Sequence, residues 1–106
     1  MSVYIAERGP VYIECDMAYT KYKGEEGFYV PCEVKGPVSV ECMAKGLGIS
    51  PRGDCVEADA FKICRGEGGL SITIYLAKST SRGLTPGEIA KQLLTIADLC
   101  ARGVIS

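Results

Sequence analysis

The sequence predicts an α+β fold: a curved antiparallel sheet of about six strands, including two similar N-terminal hairpins, with one C-terminal helix packed on it. Short stretches of alternating apolar and polar residues, separated by Gly and Pro, are typical of strands and turns. Helical periodicity with a cap at each end occurs only near the C-terminus. Because 106 residues can bury one core, we expect a single domain over residues 1–106.

Two nearly repeated segments, GPVYIEC at 9–15 and GPVSVEC at 36–42, predict the two hairpins. A one-residue shift in register moves every side chain of a strand to the other face, so the apolar pattern selects the turn. A three-residue loop at each Gly-Pro pair places Ile5 opposite Ile13 in the first hairpin. The same loop makes residues 38–42 the return strand of the second hairpin. Both repeated cysteines then face the core.

Segment 16–27 is predicted to be a polar extension of the second strand that ends in a Gly-rich turn. Two further segments rich in Gly, at 45–54 and 65–69, are predicted to be a loop and a turn. Segment 55–64 is predicted to be a strand whose apolar side changes near residue 60, which a β-bulge explains. Segment 70–78 has the clearest alternation and is predicted to be a central strand. Its inward side chains are Leu70, Ile72, Ile74 and Leu76.

The helix is predicted to span 86–102. Thr85 can cap its first turn, Pro86 suits the first helical position because no N–H is needed there, and Glu88 can close a capping box. Gly103 follows where a left-handed terminator is expected.

Apolar residues on this helix exceed what one sheet-facing side requires. The surplus predicts either a second contact, such as a dimer interface, or a deeply buried helix. Under the first interpretation the interacting side chains are Leu94, Leu99, Val104 and Ile105. Lys91, Gln92, Thr95 and Asp98 are left for the polar side.

Of the six cysteines, Cys15, Cys32, Cys42 and Cys100 fall on predicted apolar faces and are expected to be core side chains, since free Cys is among the most buried residue types. None of them stand in the close spacing of structural zinc sites, and the chain has no His, so we expect no metal ligands and no cofactor. Disulfides are the alternative, with Cys55 and Cys64 as the best pair. The chain lacks Asn and has one Gln, a depletion reported for hyperthermophiles, whose intracellular proteins can be rich in disulfides.

Charge and the ends of the chain limit the classes of function. A net charge of −1 does not favour a strongly basic nucleic-acid binder. The first residues, MSVYIAERGP, lack the features of a secretory signal, and no segment is apolar over the length of a membrane span, so we expect a cytoplasmic protein without a membrane partner. Without His, a Cys or Ser nucleophile lacks its usual base, and the chain is expected not to be an enzyme.

We therefore predict a small non-catalytic macromolecular interaction module that binds a protein partner or itself, as a dimer. Such a chain suits a small accessory or inhibitory protein of a virus or mobile element. The alternative is a single-stranded nucleic-acid-binding protein in which a strand at 18–24 presents aromatic and basic side chains together. The binding residues would be Tyr19, Lys21, Lys23, Lys45 and Arg52.

If the alternative holds, the protein binds a single-stranded oligonucleotide and loses affinity as salt rises, because bound lysines displace counterions from phosphates. Reversing two charges, with Lys21→Glu and Lys23→Glu, is expected to abolish this binding in a fluorescence anisotropy titration. No binding by the unaltered protein at low salt would exclude this function.

Overall fold

The computed structural model describes residues 3–17 and 28–105, together with the backbone of 20–21. An antiparallel sheet with the C-terminal helix packed on it confirms the predicted fold class. Two shorter helices are also present, which the sequence pattern did not predict. No helix in the described ranges is both long and apolar enough to cross a membrane. The elements are β1 (Val3–Arg8), β2 (Val11–Asp16), β3 (Thr20–Lys21), β4 (Phe28–Lys35), α1 (Val40–Leu47), β5 (Cys55–Glu57), β6 (Phe61–Gly66), β7 (Gly69–Tyr75), α2 (Leu76–Ser81) and α3 (Pro86–Ala101).

The strands lie in the order β1-β2-β4-β7-β6-β5, and every neighbouring pair is antiparallel. The short β3 pairs with the first residues of β4, whereas β2 pairs with its last residues. β4 and β7 lie in the middle of the sheet and are joined along their length. The prediction that the strand beginning near residue 70 is central is therefore confirmed.

One face of the sheet forms the core. Helix α3 lies over β1 and β2, and α1 lies beside α3 over β5 and β6. Alternate residues of each strand point toward these helices, as the pleat requires. Burying one aliphatic side chain stabilises the fold by about 1.5–3 kcal/mol, so this layer supplies most of the stabilising free energy. Its most deeply buried large side chains are Ile13, Val30, Val34, Val40, Met43, Val56, Ile63, Ile72, Ile74 and Leu93.

The first hairpin forms, but its predicted three-residue loop is wrong. Arg8 pairs with Val11, so the turn has two residues, and Gly9 adopts a φ of 58° that favours glycine. Ile5 therefore lies opposite Glu14 rather than Ile13. Tyr4 and Ala6 take the core side of β1, and Val3 and Ile5 point to the outer face of the sheet.

The predicted second hairpin is wrong, because residues 40–47 form α1 instead of a return strand. Ser39 caps this helix: its Oγ accepts a hydrogen bond from the backbone N–H of Cys42 at 3.1 Å. In the first repeat the corresponding position is Tyr12, which has no such capping group and lies within β2. Ser39 in place of Tyr12 thus gives the second copy a helix cap that the first copy, a strand, does not have.

Two further predictions are corrected between 55 and 81. Segment 55–64 is a tight hairpin of β5 and β6, not a bulged strand; its turn is closed by a hydrogen bond from Ala58 N–H to Phe61 O at 2.9 Å. The strand from 70 ends at Tyr75, and Leu76 begins α2, where it is half-buried. The hydroxyls of Ser79 and Thr80 donate to the Leu76 carbonyl within this helical turn.

The predicted C-terminal helix is confirmed within one residue at its end. Glu88 N–H donates to Thr85 Oγ1 at 3.1 Å, and Glu88 Oε1 accepts from Thr85 N–H at 3.0 Å, which completes the capping box. Gly103 follows the helix with a φ of 76°. The local sequence alone therefore defines α3.

The capping box makes stability depend on pH. The hydrogen bond from the Thr85 backbone lowers the pKa of Glu88 below its ordinary value. A carboxyl with a lowered folded-state pKa stabilises the fold above its ordinary pKa and loses this contribution as pH falls through the folded value. Glu88→Gln is expected to remove that part of the acid dependence in urea unfolding measured across acidic pH. An unchanged pH profile would contradict the role given to this carboxylate.

Candidate interaction surface

β1 is an edge strand, and its outer edge has no strand partner among the described residues. Because Arg8 and Val11 flank a two-residue turn, they form a hydrogen-bonded pair, and such pairs alternate along an antiparallel ladder. The backbone N–H and C=O groups of Val3, Ile5 and Glu7 consequently point away from β2. The open edge offers three residues with regular hydrogen-bonding geometry.

The opposite edge of the sheet is protected. β5 has only three residues, and Arg52 exchanges two backbone hydrogen bonds with Cys55, at 2.7 and 3.1 Å. Short edge strands and occupied edge groups are common ways to prevent pairing between molecules. β1 has neither device, and its six residues include no Pro and no Lys. The two edges of this sheet thus differ in their capacity to pair with another chain.

The side chains beside the open edge are apolar. Val3 is 48% exposed and Ile5 is 60% exposed on the outer face. Tyr12 of β2 lies diagonally from Ile5 on that face and is 38% exposed. We call Val3, Ile5, Tyr12 and the outward backbone of β1 the β1 edge surface. It combines unpaired backbone groups with exposed apolar side chains, the features of a surface that adds a strand.

Asp98 of α3 anchors the turn at the end of β1. Its side chain is 4% exposed, and its Oδ2 lies 3.3 Å from Arg8 Nε and 3.1 Å from an Arg102 guanidinium nitrogen. Oδ1 has no hydrogen-bond partner and faces Gly9, where a Cβ would overlap it. Sequence reasoning placed Asp98 on a solvated face and missed this contact. The Asp98 and Arg102 spacing of four was the available signal.

The four apolar side chains predicted to form an interface at the C-terminal helix are in different environments. Leu94 is buried in the core, and Leu99 is half-buried. Val104 is 67% exposed, and the half-buried Ile105 packs near Gly46 of α1. Helix α1 therefore covers much of the apolar surface that the sequence left without a partner. A role of Leu99, Val104 and Ile105 in an interface stays a prediction.

The residues predicted to bind single-stranded nucleic acid are not brought together in the described part of the structure. Tyr19 and Lys23 lie outside the described residues, and Lys21 is described only as backbone in β3. Lys45 is exposed on α1, and Arg52 is exposed in the loop that follows it. Binding of nucleic acid through these side chains stays a prediction.

All six cysteines form disulfides, so the prediction of free core thiols is wrong. The predicted pair Cys55–Cys64 is confirmed, with a Cα–Cα distance of 4.1 Å. The buried Cys15 and Cys32 lie opposite each other on β2 and β4 with Cα atoms 4.0 Å apart. The third bond, Cys42–Cys100, joins α1 to α3, with a Cα–Cα distance of 6.0 Å.

The described residues contain no group of three or more His, Cys, Asp or Glu side chains placed to hold a metal ion. The chain matches no protein-family model, no curated protein and no solved structure. Function is therefore inferred from the geometry of the surfaces.

The anchor at Gly9 can be tested against a second glycine with similar backbone geometry. Gly68 has a φ of 68° and open space around it, whereas Gly9 faces Asp98. Gly68→Ala is expected to cost on the order of 1 kcal/mol for the left-handed backbone alone. Gly9→Ala is expected to cost about 2 kcal/mol more, because the added Cβ also displaces the buried Asp98 carboxylate from its half-exposed arginine partners. Urea unfolding of both oxidised variants measures the difference, and equal losses would contradict the anchor.

Proposed function

We propose that this protein is a small non-catalytic interaction module that self-associates by pairing β1 with β1 of a second copy. The open, regular edge of β1 with Val3 and Ile5 exposed beside it is the observation that carries the proposal. Strand addition at such an edge supplies backbone hydrogen bonds for affinity and side-chain contacts for specificity.

The alternation of outward backbone groups along β1 favours one register for the pairing of the two β1 strands. A two-fold axis through Ile5 places Ile5 opposite Ile5 of the second copy and Val3 opposite Glu7. All of these residues have outward backbone groups, so each opposed pair can exchange two hydrogen bonds. The two isoleucines then shield each other from water at the centre of the contact. A shift of two residues in one direction would place Ile5 opposite Glu7 and lose this apolar contact. The opposite shift would place Val3 opposite Ile5 but leave Glu7 without an opposed residue in the described part of β1.

The titrating groups support a non-catalytic role. The chain has no His. Hydrogen bonds from Arg82 lower the pKa of Asp59, and the capping box lowers that of Glu88, so both carboxyls are held as anions. General acid–base catalysis instead uses carboxyls whose pKa is raised toward neutrality. These lowered values fit ion pairing and capping.

Three disulfides in a chain of this size bear on its setting. Such bonds persist in oxidising compartments, or in the cytoplasm of hyperthermophiles. A hyperthermophile cytoplasm reconciles the disulfides with the absence of Asn and with the predicted cytoplasmic location. The accessory or inhibitory role in a virus or mobile element stays a prediction.

A proline at position 5 tests the edge directly. The N–H of Ile5 points away from β2, so Ile5→Pro removes a hydrogen bond between copies without removing one within the hairpin. The variant is expected to remain folded and become monomeric, as measured by circular dichroism and sedimentation velocity over a range of concentrations. Ile5→Lys is expected to give the same result by placing charge at the two-fold axis.

Val104→Lys is the matched control, since Val104 is exposed but lies on the C-terminal tail rather than on β1. It is expected to leave the dimer intact. Loss of the dimer in Val104→Lys but not in Ile5→Pro would assign self-association to the apolar residues of α3 and the C-terminal tail instead. A monomeric unaltered protein at all concentrations would refute self-association.

A further inference from the structure

A groove with a volume of about 700 Å³ lies between the start of α1 and the end of α3. Cys42 and Cys100 both line it, together with Ser39, Lys45 and Ile105. Both cysteines are half-buried, so their disulfide is reachable from solvent within a concave surface. The β1 edge surface does not involve this groove.

The three disulfides differ in their surroundings. Cys15–Cys32 is buried between strands and the helices. Cys55–Cys64 is half-buried, but it links directly opposed residues of two strands. The charges that flank it are mixed and paired, Asp54 with Arg65 and Glu57 with Lys62. Cys32 borders a smaller cavity of about 270 Å³, but both cysteines of its disulfide are buried. The Cys42–Cys100 groove, of about 700 Å³, combines two half-buried cysteines with room for another peptide or a small thiol.

The position of Cys42 favours a thiolate. Cys42 lies in the first turn of α1, where unpaired backbone N–H groups create a positive potential. Lys45 lies one turn further along α1 and lines the same groove, which adds a second positive group. Glu41 also lines the groove, and its carboxylate lies 3.6 Å from an Arg65 guanidinium nitrogen, which offsets its negative charge.

The carbonyl oxygen of Ile105 lies 3.2 Å from Cys42 Sγ and obstructs one approach to that sulfur. As the negative end of a dipole it opposes the thiolate that the helix terminus and Lys45 favour. Cys100 Sγ is therefore the sulfur that an incoming thiolate attacks.

We propose that the Cys42–Cys100 groove is a thiol–disulfide exchange site that accepts electrons from a dithiol. A substrate thiolate attacks Cys100 Sγ, a mixed disulfide forms, and the bond to Cys42 breaks with Cys42 leaving as the thiolate. The second substrate thiol then attacks its own sulfur in the mixed disulfide and releases Cys100. Two electrons and two protons pass to the protein, and the substrate dithiol becomes a disulfide. A low-energy thiolate at Cys42 makes it the better leaving group.

Opening this bond leaves the packing of α1 on α3 in place. Gly46 of α1 approaches α3 so closely that a Cβ there would crowd the Ile96 side chain, and the Ile105 side chain also packs against this point. Met43 and Ala44 of α1 are buried in the core. The reduced protein is thus expected to keep its fold, so the bond can open without unfolding the chain.

Graded reduction of the full oxidised chain tests the site. The protein is treated with dithiothreitol for increasing times, blocked with an alkylating reagent and mapped by peptide mass spectrometry, with circular dichroism recorded in parallel. Cys42 and Cys100 are expected to be alkylated roughly tenfold faster than the other four cysteines, without loss of secondary structure. Equal or faster reduction of Cys55–Cys64 would overturn the proposal, and so would unfolding that accompanies opening of Cys42–Cys100.

The direction of attack and the role of charge have separate readouts. With reduced glutathione in place of dithiothreitol, the mixed disulfide is expected on Cys100, and an adduct on Cys42 would overturn the assignment of the leaving group.

Lys45→Gln is expected to slow reduction roughly threefold through a less stable thiolate. Lys91→Gln, an exposed lysine of α3 outside the groove, is the matched control and is expected to leave the rate unchanged. Equal rates for Lys45→Gln and the unaltered protein would remove Lys45 from the mechanism.

Discussion

A strand has two edges, and both edges of β4 are occupied, by β2 and β3 on one side and by β7 on the other. This constraint decides what the chain can do after Lys35. Residues 38–42 have no place beside β4, although their alternation would suit a strand. Val34 instead packs between Ile13 and Leu70 of its two neighbours, and the chain leaves the sheet to form α1. Because α1 leaves the sheet, it can pack beside α3 and form the Cys42–Cys100 bond with it.

The contrast between α3 and α1 shows how much of the fold could be predicted from the sequence. Helix α3 has its signals in consecutive residues, Thr85, Pro86, Glu88 and Gly103, and local chemistry was sufficient to place it. Helix α1 is short, and the capping residue Ser39 is the one local signal that its start differs from the strand in the first repeat. Its formation follows from the pairing of β4 with β2 and β7, which are distant from α1 in sequence. Such pairing is not visible in a local pattern.

The candidate surface was missed for a related reason. Matching apolar residues across the first hairpin assumed that every apolar side chain of β1 belongs inside. The two-residue turn at Gly9 places Tyr4 and Ala6 inside instead and exposes Val3 and Ile5. Conversely, Leu94 was predicted at an interface and lies in the core, because α1 had been taken for a strand. Apolar pattern can thus identify the amphipathic elements, but tertiary pairing decides which apolar side chains remain exposed.

The order of the disulfides along the chain has a consequence for its covalent topology. Cys55–Cys64 lies inside the loop closed by Cys42–Cys100, whereas Cys15–Cys32 forms a separate loop before both. The bonds are nested and sequential, and no loop crosses another. A nick in the backbone between Cys32 and Cys42 would therefore divide the oxidised protein into two pieces with no covalent link. A nick between Cys42 and Cys100 would leave both fragments tethered, so the segment around Gly36 is the one covalent joint between two separately cross-linked halves.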